Sequence, residues 1–286
     1  MRVAVLAGGT GGARLAAGFD AVLPPGDLTV IANTADDDEF WGLLVCPDID
    51  AVIYRLAGIF NDESGFGQRN ESFHVLDSLE RLGEPAWFRL GDKDLATHVL
   101  RAELLRSGST LTNATLELCR RFGIRSRVLP MSDQPVRTRC ITERGTYSLQ
   151  EYFVRERLSP VLKAIEFEGL ESASMTTEVK SALAAAELVV IGPSNPRISI
   201  DPILQVLAAA LVPDRTTAGS PIGGGAALDA TPLEVARRYR EVSSRFALDQ
   251  RDREYEPAIA QLGYRVLVCD TVMSDGGRSL AEALVG

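Results

Sequence analysis

The residues best placed to do chemistry are two short pairs of carboxylates, Asp36-Asp37 and Asp48/Asp50. Hard oxygen donors suit Mg²⁺, which takes one or two carboxylates and completes its shell with water and phosphate oxygens. A cation held there would offset diphosphate charge and stabilise a leaving group in transfer chemistry. Each pair also has a plain structural reading. Asp36 to Glu39 reads equally as a solvated acidic turn, and Asp48 and Asp50 read as helix caps after Pro47.

A second element points toward phosphate. The apolar run Val3-Ala4-Val5-Leu6 stops at Gly8-Gly9-Thr10-Gly11-Gly12, and a helix-compatible segment follows. A helix starting after Gly12 would turn its free N–H groups and positive dipole end toward the glycine loop, an anion site. The run is neither a P-loop, which needs Gly-Lys-Ser/Thr, nor a regular G-x-G-x-x-G fingerprint. A tight turn without a ligand is therefore the competing reading. Other polar sites read as structural. His74 and His98 adjoin no nucleophile motif, Asp92 and Asp94 read as caps around Lys93, and Pro193-Ser194-Asn195 reads as a turn.

The elements that would position these residues follow an α/β pattern. Val3–Leu6 and Leu28–Asn33 read as buried strands around a helix near Arg14–Leu23, a βαβ unit implying a parallel sheet. Ligands of such sheets sit at strand carboxyl ends, so the glycine loop and the acidic loop after Asn33 are expected at one rim. Helices are expected at Ala51–Ala57, Phe73–Leu82, Leu95–Leu100 and Asn113–Phe122. This predicts a mostly helical insertion or cap over roughly 60–125. Strands follow near 127–149, 188–191, 216–220, 245–249 and 264–269, with helices at 201–211, 235–239 and 278–284. The expected class is α/β, a Rossmann-like mainly parallel sheet flanked by helices, forming one domain over 1–286.

Composition narrows function. The formal net charge of -9 argues against a nucleic-acid partner. The four cysteines form no C-x-x-C pair, so neither zinc nor a disulfide framework is indicated. No run is long enough to span a bilayer, and the start lacks a signal-peptide core, so a cytoplasmic protein is expected.

Taken in order, the motifs resemble the 2-phospho-L-lactate transferases of coenzyme F-420 biosynthesis over nearly the whole chain. The resemblance is carried by Gly8-Gly9-Thr10-Gly11-Gly12, Asn33-Thr34-Ala35-Asp36-Asp37, Pro47-Asp48-Ile49-Asp50 and Gly67-Gln68-Arg69-Asn70-Glu71. It continues in Leu90-Gly91-Asp92-Lys93-Asp94-Leu95-Ala96-Thr97-His98, Leu129-Pro130-Met131-Ser132-Asp133, Ile191-Gly192-Pro193-Ser194-Asn195-Pro196 and Asp270-Thr271-Val272-Met273. It implies transfer of a phospholactyl, phosphoenolpyruvyl or phosphoglyceryl group from a GDP-activated acid to the ribityl hydroxyl of the deazaflavin FO, releasing GMP. It implies Mg²⁺ and a homodimer. By position, Asp36 and Asp48 are the implied metal and catalytic carboxylates. Asp50, Asn70, Arg89 and Asp92 fall on the deazaflavin side. Gly8, Gly9, Thr10, Gly11, Gly12, Pro193, Ser194 and Asn195 fall along the nucleotide and phosphates. One stretch departs: after Ser220-Pro221-Ile222 the chain runs through Gly223-Gly224-Gly225 almost directly to the helix at Val235, where the family carries a longer glycine-rich segment. That leaves the donor acid open.

Two other classes compete. Regulatory nucleotide-sugar binders of the gluconeogenesis-factor type share the glycine loop, but carry small residues where this chain has Glu39-Phe40-Trp41. A nicotinamide oxidoreductase would want G-x-G-x-x-G, which fails here.

Overall fold

The computed structural model describes residues 1–219 and 231–286. The shortened glycine stretch at 220–230 lies outside the described residues. In chain order come β1 (Val3–Ala7), α1 (Gly9–Val22), β2 (Leu28–Ala32), β3 (Asp38–Phe40), β4 (Leu43–Val45) and α2 (Pro47–Leu56). Then follow α3 (His74–Arg81), α4 (Asp92–Arg106), α5 (Leu111–Arg121), β5 (Arg127–Pro130), β6 (Arg137–Thr142), β7 (Gly145–Ser148) and β8 (Leu162–Glu168). The C-terminal part holds α6 (Thr177–Ala185), β9 (Leu188–Ile191), α7 (Asp201–Leu207), β10 (Thr216–Gly219) and α8 (Pro232–Tyr239). It closes with β11 (Arg245–Asp249), α9 (Glu256–Gln261), β12 (Arg265–Cys269) and α10 (Arg278–Val285).

Seven strands form one sheet in the order β12-β11-β10-β9-β1-β2-β5, and every pairing in it is parallel. The central strands β1, β2 and β9 are buried along their whole length. That is why they read as unbroken apolar runs rather than alternating ones. One face of the sheet packs Val3, Val5 and Val30 against Leu15, Phe19, Ile49, Ile53, Leu118 and Leu280, from α1, α2, α5 and α10. The opposite face packs Leu6, Ile31 and Ile191 against Val179, Leu183, Ile203, Val235 and Ile259, from α6 to α9. The expected α/β architecture is therefore present. Within the helical middle of the chain, α2 and α5 belong to the sheet's flanking layer.

Chain order reverses between β1 and β9, the switch point where open parallel sheets leave a crevice at their carboxyl ends. Two small antiparallel units stand near that edge. The β3–β4 hairpin turns at Trp41-Gly42, both with positive φ, the two-residue geometry that matches strand twist. The β7-β6-β8 sheet follows β5. The alternation Leu162-Lys163-Ala164-Ile165-Glu166-Phe167-Glu168 fits a half-buried strand, which the sequence reading did not include.

The glycine run differs from expectation. α1 begins at Gly9 with Gly8 as its cap, so the glycines form its first turn rather than a loop before it. Close packing is the reason. A Cβ on Gly8 would sit 2.2 Å from Cβ of Ser199, and one on Gly11 would sit 2.2 Å from the carbonyl oxygen of Pro193. Gly12 is pressed against Ala7 and Ser194. Gly11→Ala is therefore expected to cost about 2–3 kcal/mol through overpacking, read as a lower urea midpoint. A wild-type midpoint would show that the residue 193 segment has room to move.

Candidate active site

The site is assembled at the carboxyl ends of β1 and β2. α2 starts with Pro47 at its first position, which puts Asp48 and Asp50 in its first turn rather than at its cap. Asp48 is 5% exposed and works as a clasp. Its Oδ1 accepts the Gly9 N–H at 2.6 Å, and its Oδ2 accepts from Asn33 Nδ2 at 3.0 Å. One carboxylate thus joins the amino end of α1, the end of β2 and the first turn of α2. Gly8 is held from the other side, where its N–H donates to Ser194 Oγ at 3.0 Å. The Ser194 hydroxyl returns a bond to the Gly8 carbonyl at 3.1 Å.

Asp36 and Asp37 are buried rather than solvated. Burial, followed by the negative charge of Asp48, drives Asp36 well above the usual carboxylate range. Burial pushes Asp48 up to about 6, held back by hydrogen bonds from Asn33 and Gly9. The two carboxyl groups face one another, and Asp36 Oδ1 is buried with no hydrogen-bond partner. Two facing buried carboxyls share a proton more readily than they carry two charges. The donor set is all oxygen and fits a hard cation with an open coordination sphere. It is not a closed cage: among the described residues no group of three or more acidic, His or Cys side chains gathers as a metal site.

Beside Asp48 lies a cavity of about 510 Å³. Gly9 and Thr10 line one end of it together with Asp48. Phe66, Trp87, Phe88, Leu90 and Val45 give it apolar walls, and Arg89 and Arg157 are exposed at its lining. Phe88 is braced by Phe40, whose ring stacks on it at 3.9 Å with planes 6° apart. Arg157 has positive φ, as does Leu158 after it, a backbone arrangement costly for residues other than glycine and concentrated at functional sites. Apolar walls with a few converging polar groups describe a small-molecule pocket.

The predicted residues do not all meet there. Gly9, Thr10, Asp48, Asp50 and Arg89 line the cavity. Asp36 lines a neighbouring cleft with Asp37, Arg137 and Arg139 and reaches the site through its contact with Asp48. Asp50 is buried against Arg101, which donates Nη1–H to Oδ2 at 3.2 Å and Nη2–H to Oδ1. Asn70 is exposed with φ 58°. Asp92 accepts from Ser72 Oγ at 2.7 Å and from the N–H groups of His74 and Val75 at 3.1 Å each, capping α3. Glu71 returns the favour by accepting the N–H groups of Lys93 and Asp94 at 2.9 Å each, capping α4. Gly8, Gly11, Gly12, Pro193 and Ser194 form the packed seam between α1 and the β9 loop. Asn195 caps the turn at Pro196–Ile200.

Other cavity residues were not singled out from the sequence as individual site residues. Tyr54, Asp94, His98, Gln150 and Arg157 all line it. The signal for part of this set was the spacing Asp94, His98, Arg101, which places all three along one face of a helix. Burial raises Asp94 to about 7 and lowers His98 to about 4. A carboxyl whose folded value lies above its unfolded one binds more protons when folded. Its contribution to stability is then greatest below pH 4 and is lost as pH rises through about 7. Asp94→Asn is expected to flatten that decline, gaining on the order of 2 kcal/mol over wild type at pH 8 and nothing at pH 4. Parallel pH profiles of thermal unfolding would refute this.

Comparison with known proteins gives the chain's family and fold. Residues 3–217 match the family model of 2-phospho-L-lactate transferase CofD. A 2-phospho-L-lactate transferase of Methanosarcina acetivorans is 36% identical over 299 residues, covering 99% of this chain and 97% of that protein. A phosphoenolpyruvate transferase of Streptomyces griseus is 37% identical over 308 residues, covering 99% and 96%. A crystal structure of a UPF0052 family member from Bacillus halodurans shares the fold, with TM-score 0.70 and 16% identity over 100% of this chain and 98% of that one. No helix among the described residues is long and apolar enough to cross a membrane. With a parallel α/β scaffold, a clasped pair of carboxylates at its switch point and full-length similarity to such transferases, the chain belongs to the 2-phospho-L-lactate transferase family.

Proposed function

We propose that this chain transfers a phospholactyl, phosphoenolpyruvyl or phosphoglyceryl group from a GDP-activated acid to the ribityl hydroxyl of the deazaflavin FO, releasing GMP. The observation that carries the reading is the Asp36–Asp48 pair at the end of an aromatic-walled cavity. The cavity volume suits a tricyclic ring with its side chain reaching the carboxylates. Asp36 and Asp48 would hold Mg²⁺. When bound, that ion offsets diphosphate charge and stabilises the departing GMP.

The chain's own groups supply the positioning. Asn33 and the Gly9 N–H orient Asp48, and the amino end of α1 lies at the phosphate end of the cavity. Arg157 at the cavity lining offsets anionic charge on the donor, and Arg89 stands on the deazaflavin side. In the transfer, the ribityl oxygen bonds to the phosphorus bearing the acid. The bond from that phosphorus to the bridging oxygen breaks, GMP leaves with the electron pair, and the hydroxyl proton passes to a carboxylate or to solvent.

The same reading carries a cytoplasmic homodimer, which sedimentation of the purified protein tests for its oligomeric part. The decisive assay mixes protein, FO, Mg²⁺ and each GDP-activated acid and looks by mass for the phosphodiester. A product with one donor is the expected result. None with lactyl, enolpyruvyl or glyceryl donors overturns the reading.

A further inference from the structure

The chain after β7 forms a wall with two different faces. Gln150, Val154 and Arg157, three to four residues apart, line the cavity beside Asp48. On the other side, Tyr152 and Leu158 pack into a small apolar cluster with Cys140, Leu149 and Ile198. Tyr152 is 2% exposed, and its hydroxyl donates to the Pro160 carbonyl at 3.1 Å. The Leu158 N–H donates to the Tyr152 carbonyl at 2.9 Å, and Gln150 Nε2 donates to the Asp36 carbonyl at 3.1 Å. The wall is thus fastened at both ends, with Gln150 against the acidic loop.

Arg157 is the outlier in this wall. Its φ of 50° and the 59° of Leu158 put two successive residues in the left-handed region, where a Cβ is crowded by the backbone. Leu158 has a packing reason for that turn, because its side chain reaches the apolar cluster. Arg157 has none. It is exposed, and among the described residues no hydrogen bond, ion pair or ring contact engages it. Its neighbour Arg155 is taken up by Glu151 at 2.8 Å and Glu156 at 3.0 Å, and lies over the Trp87 and Tyr147 rings. The other arginine at the cavity, Arg89, lies 4.3 Å from the centre of the Phe73 ring. Strained backbone clusters at ligand clamps, and an unpartnered guanidinium held by such backbone at a cavity lining points to an anionic ligand group.

We propose that Arg157 binds the carboxylate of the three-carbon acid on the activated donor. The inference rests on the transfer reading above and names the partner of one donor group within it. In that reading the donor carries two anionic parts, a diphosphate and a carboxylate. The diphosphate meets the proposed Mg²⁺ and the amino end of α1, while the carboxylate has no partner assigned. The acid shares its phosphorus with the incoming ribityl oxygen, so it lies at the cavity and not beyond it. Among the described residues, Arg89 and Arg157 are the only lysine or arginine side chains at the cavity lining, and residues 220–230 contain neither type. Arg89 stands on the deazaflavin side, which leaves Arg157. A guanidinium offers a carboxylate two parallel N–H donors. All three candidate acids carry a carboxylate, so Arg157 recognises the class and not the member.

The test compares wild type with Arg157→Gln, Arg157→Lys and Arg157→Gly in steady-state transfer to FO from the GDP-activated acid that wild type uses. GDP, which lacks the acid, serves as a competing ligand. Arg157→Gln and Arg157→Gly are expected to raise KM for the donor about 10–100-fold, with KM for FO and inhibition by GDP within about twofold of wild type. Arg157→Lys keeps the charge but not the fork, and a rise of about 3–10-fold is expected. Arg157→Gly suits the left-handed backbone and is expected to unfold no earlier than wild type, so its weaker donor binding cannot come from a damaged fold. A wild-type donor KM in Arg157→Gln overturns the inference. So does a loss of GDP inhibition equal to the loss of donor affinity, which puts Arg157 on the diphosphate, or a rise confined to KM for FO. In each of these cases the transfer reading stands. Wild type that transfers from no donor overturns that reading, and this inference with it.

Discussion

Asp48→Asn is expected to lower turnover about 10³-fold or more while the protein stays folded. The side chain lies where Mg²⁺ is proposed, and a cation in such a place is worth several kcal/mol of transition-state stabilisation. About 4 kcal/mol corresponds to a thousandfold in rate. Asparagine keeps the volume and one acceptor for the Gly9 N–H. It also removes a charge that burial already disfavours, while its amide loses the bond from Asn33, so a modest loss of stability with the fold intact is expected. Measured as product formation against Mg²⁺ concentration, the variant should show no saturable metal dependence. Wild-type turnover would remove Asp48 from the metal site.

The largest stability effect is expected at Arg101. Its guanidinium is fully buried, pairs with both Asp50 oxygens, and also donates to the Leu44 carbonyl at 3.3 Å. Removing one partner of a buried pair leaves the other charge uncompensated, which costs about 3–5 kcal/mol. Arg101→Met is expected to lower Tm on the order of 10 °C for a chain of this size. Adding Asp50→Asn to Arg101→Met should recover much of that loss, because the stranded carboxylate is gone. An additive double variant would mean that the two side chains are not energetically coupled. The pair also holds His98, which lines the cavity.

How legible these features are in sequence depends on how far apart the partners lie. β1, β2 and β9 can be read directly, because a strand buried on both faces spells itself as an apolar run. The α1 start cannot: glycines have poor helix propensity, and only their packing against Pro193 and Ser199 explains why helix wins at Gly9. Asp36 and Asp48 stand out by type and spacing, yet nothing local says that they face each other. Asp50 reads as a cap because its partner, Arg101, is 51 residues away. Asp92 reads as a cap, and is one, but for α3 rather than for the helix it begins. Tyr54 and His98 look like ordinary helix residues until the cavity shows what they line.

The exchange between Glu71 and Asp92 has a consequence for motion. Glu71 stands on the segment leading into α3 and secures the first turn of α4, while Asp92, the first residue of α4, secures the start of α3. Fraying at either helix start would release the contact that holds its neighbour, so neither end opens alone. The two starts are thereby coupled, and loosening of one is expected to loosen the other. Arg89 lies in the segment these starts bound and Asp94 in the first turn of α4, so both lining residues ride on them. This part of the cavity wall is thus fastened twice, by two contacts that depend on each other.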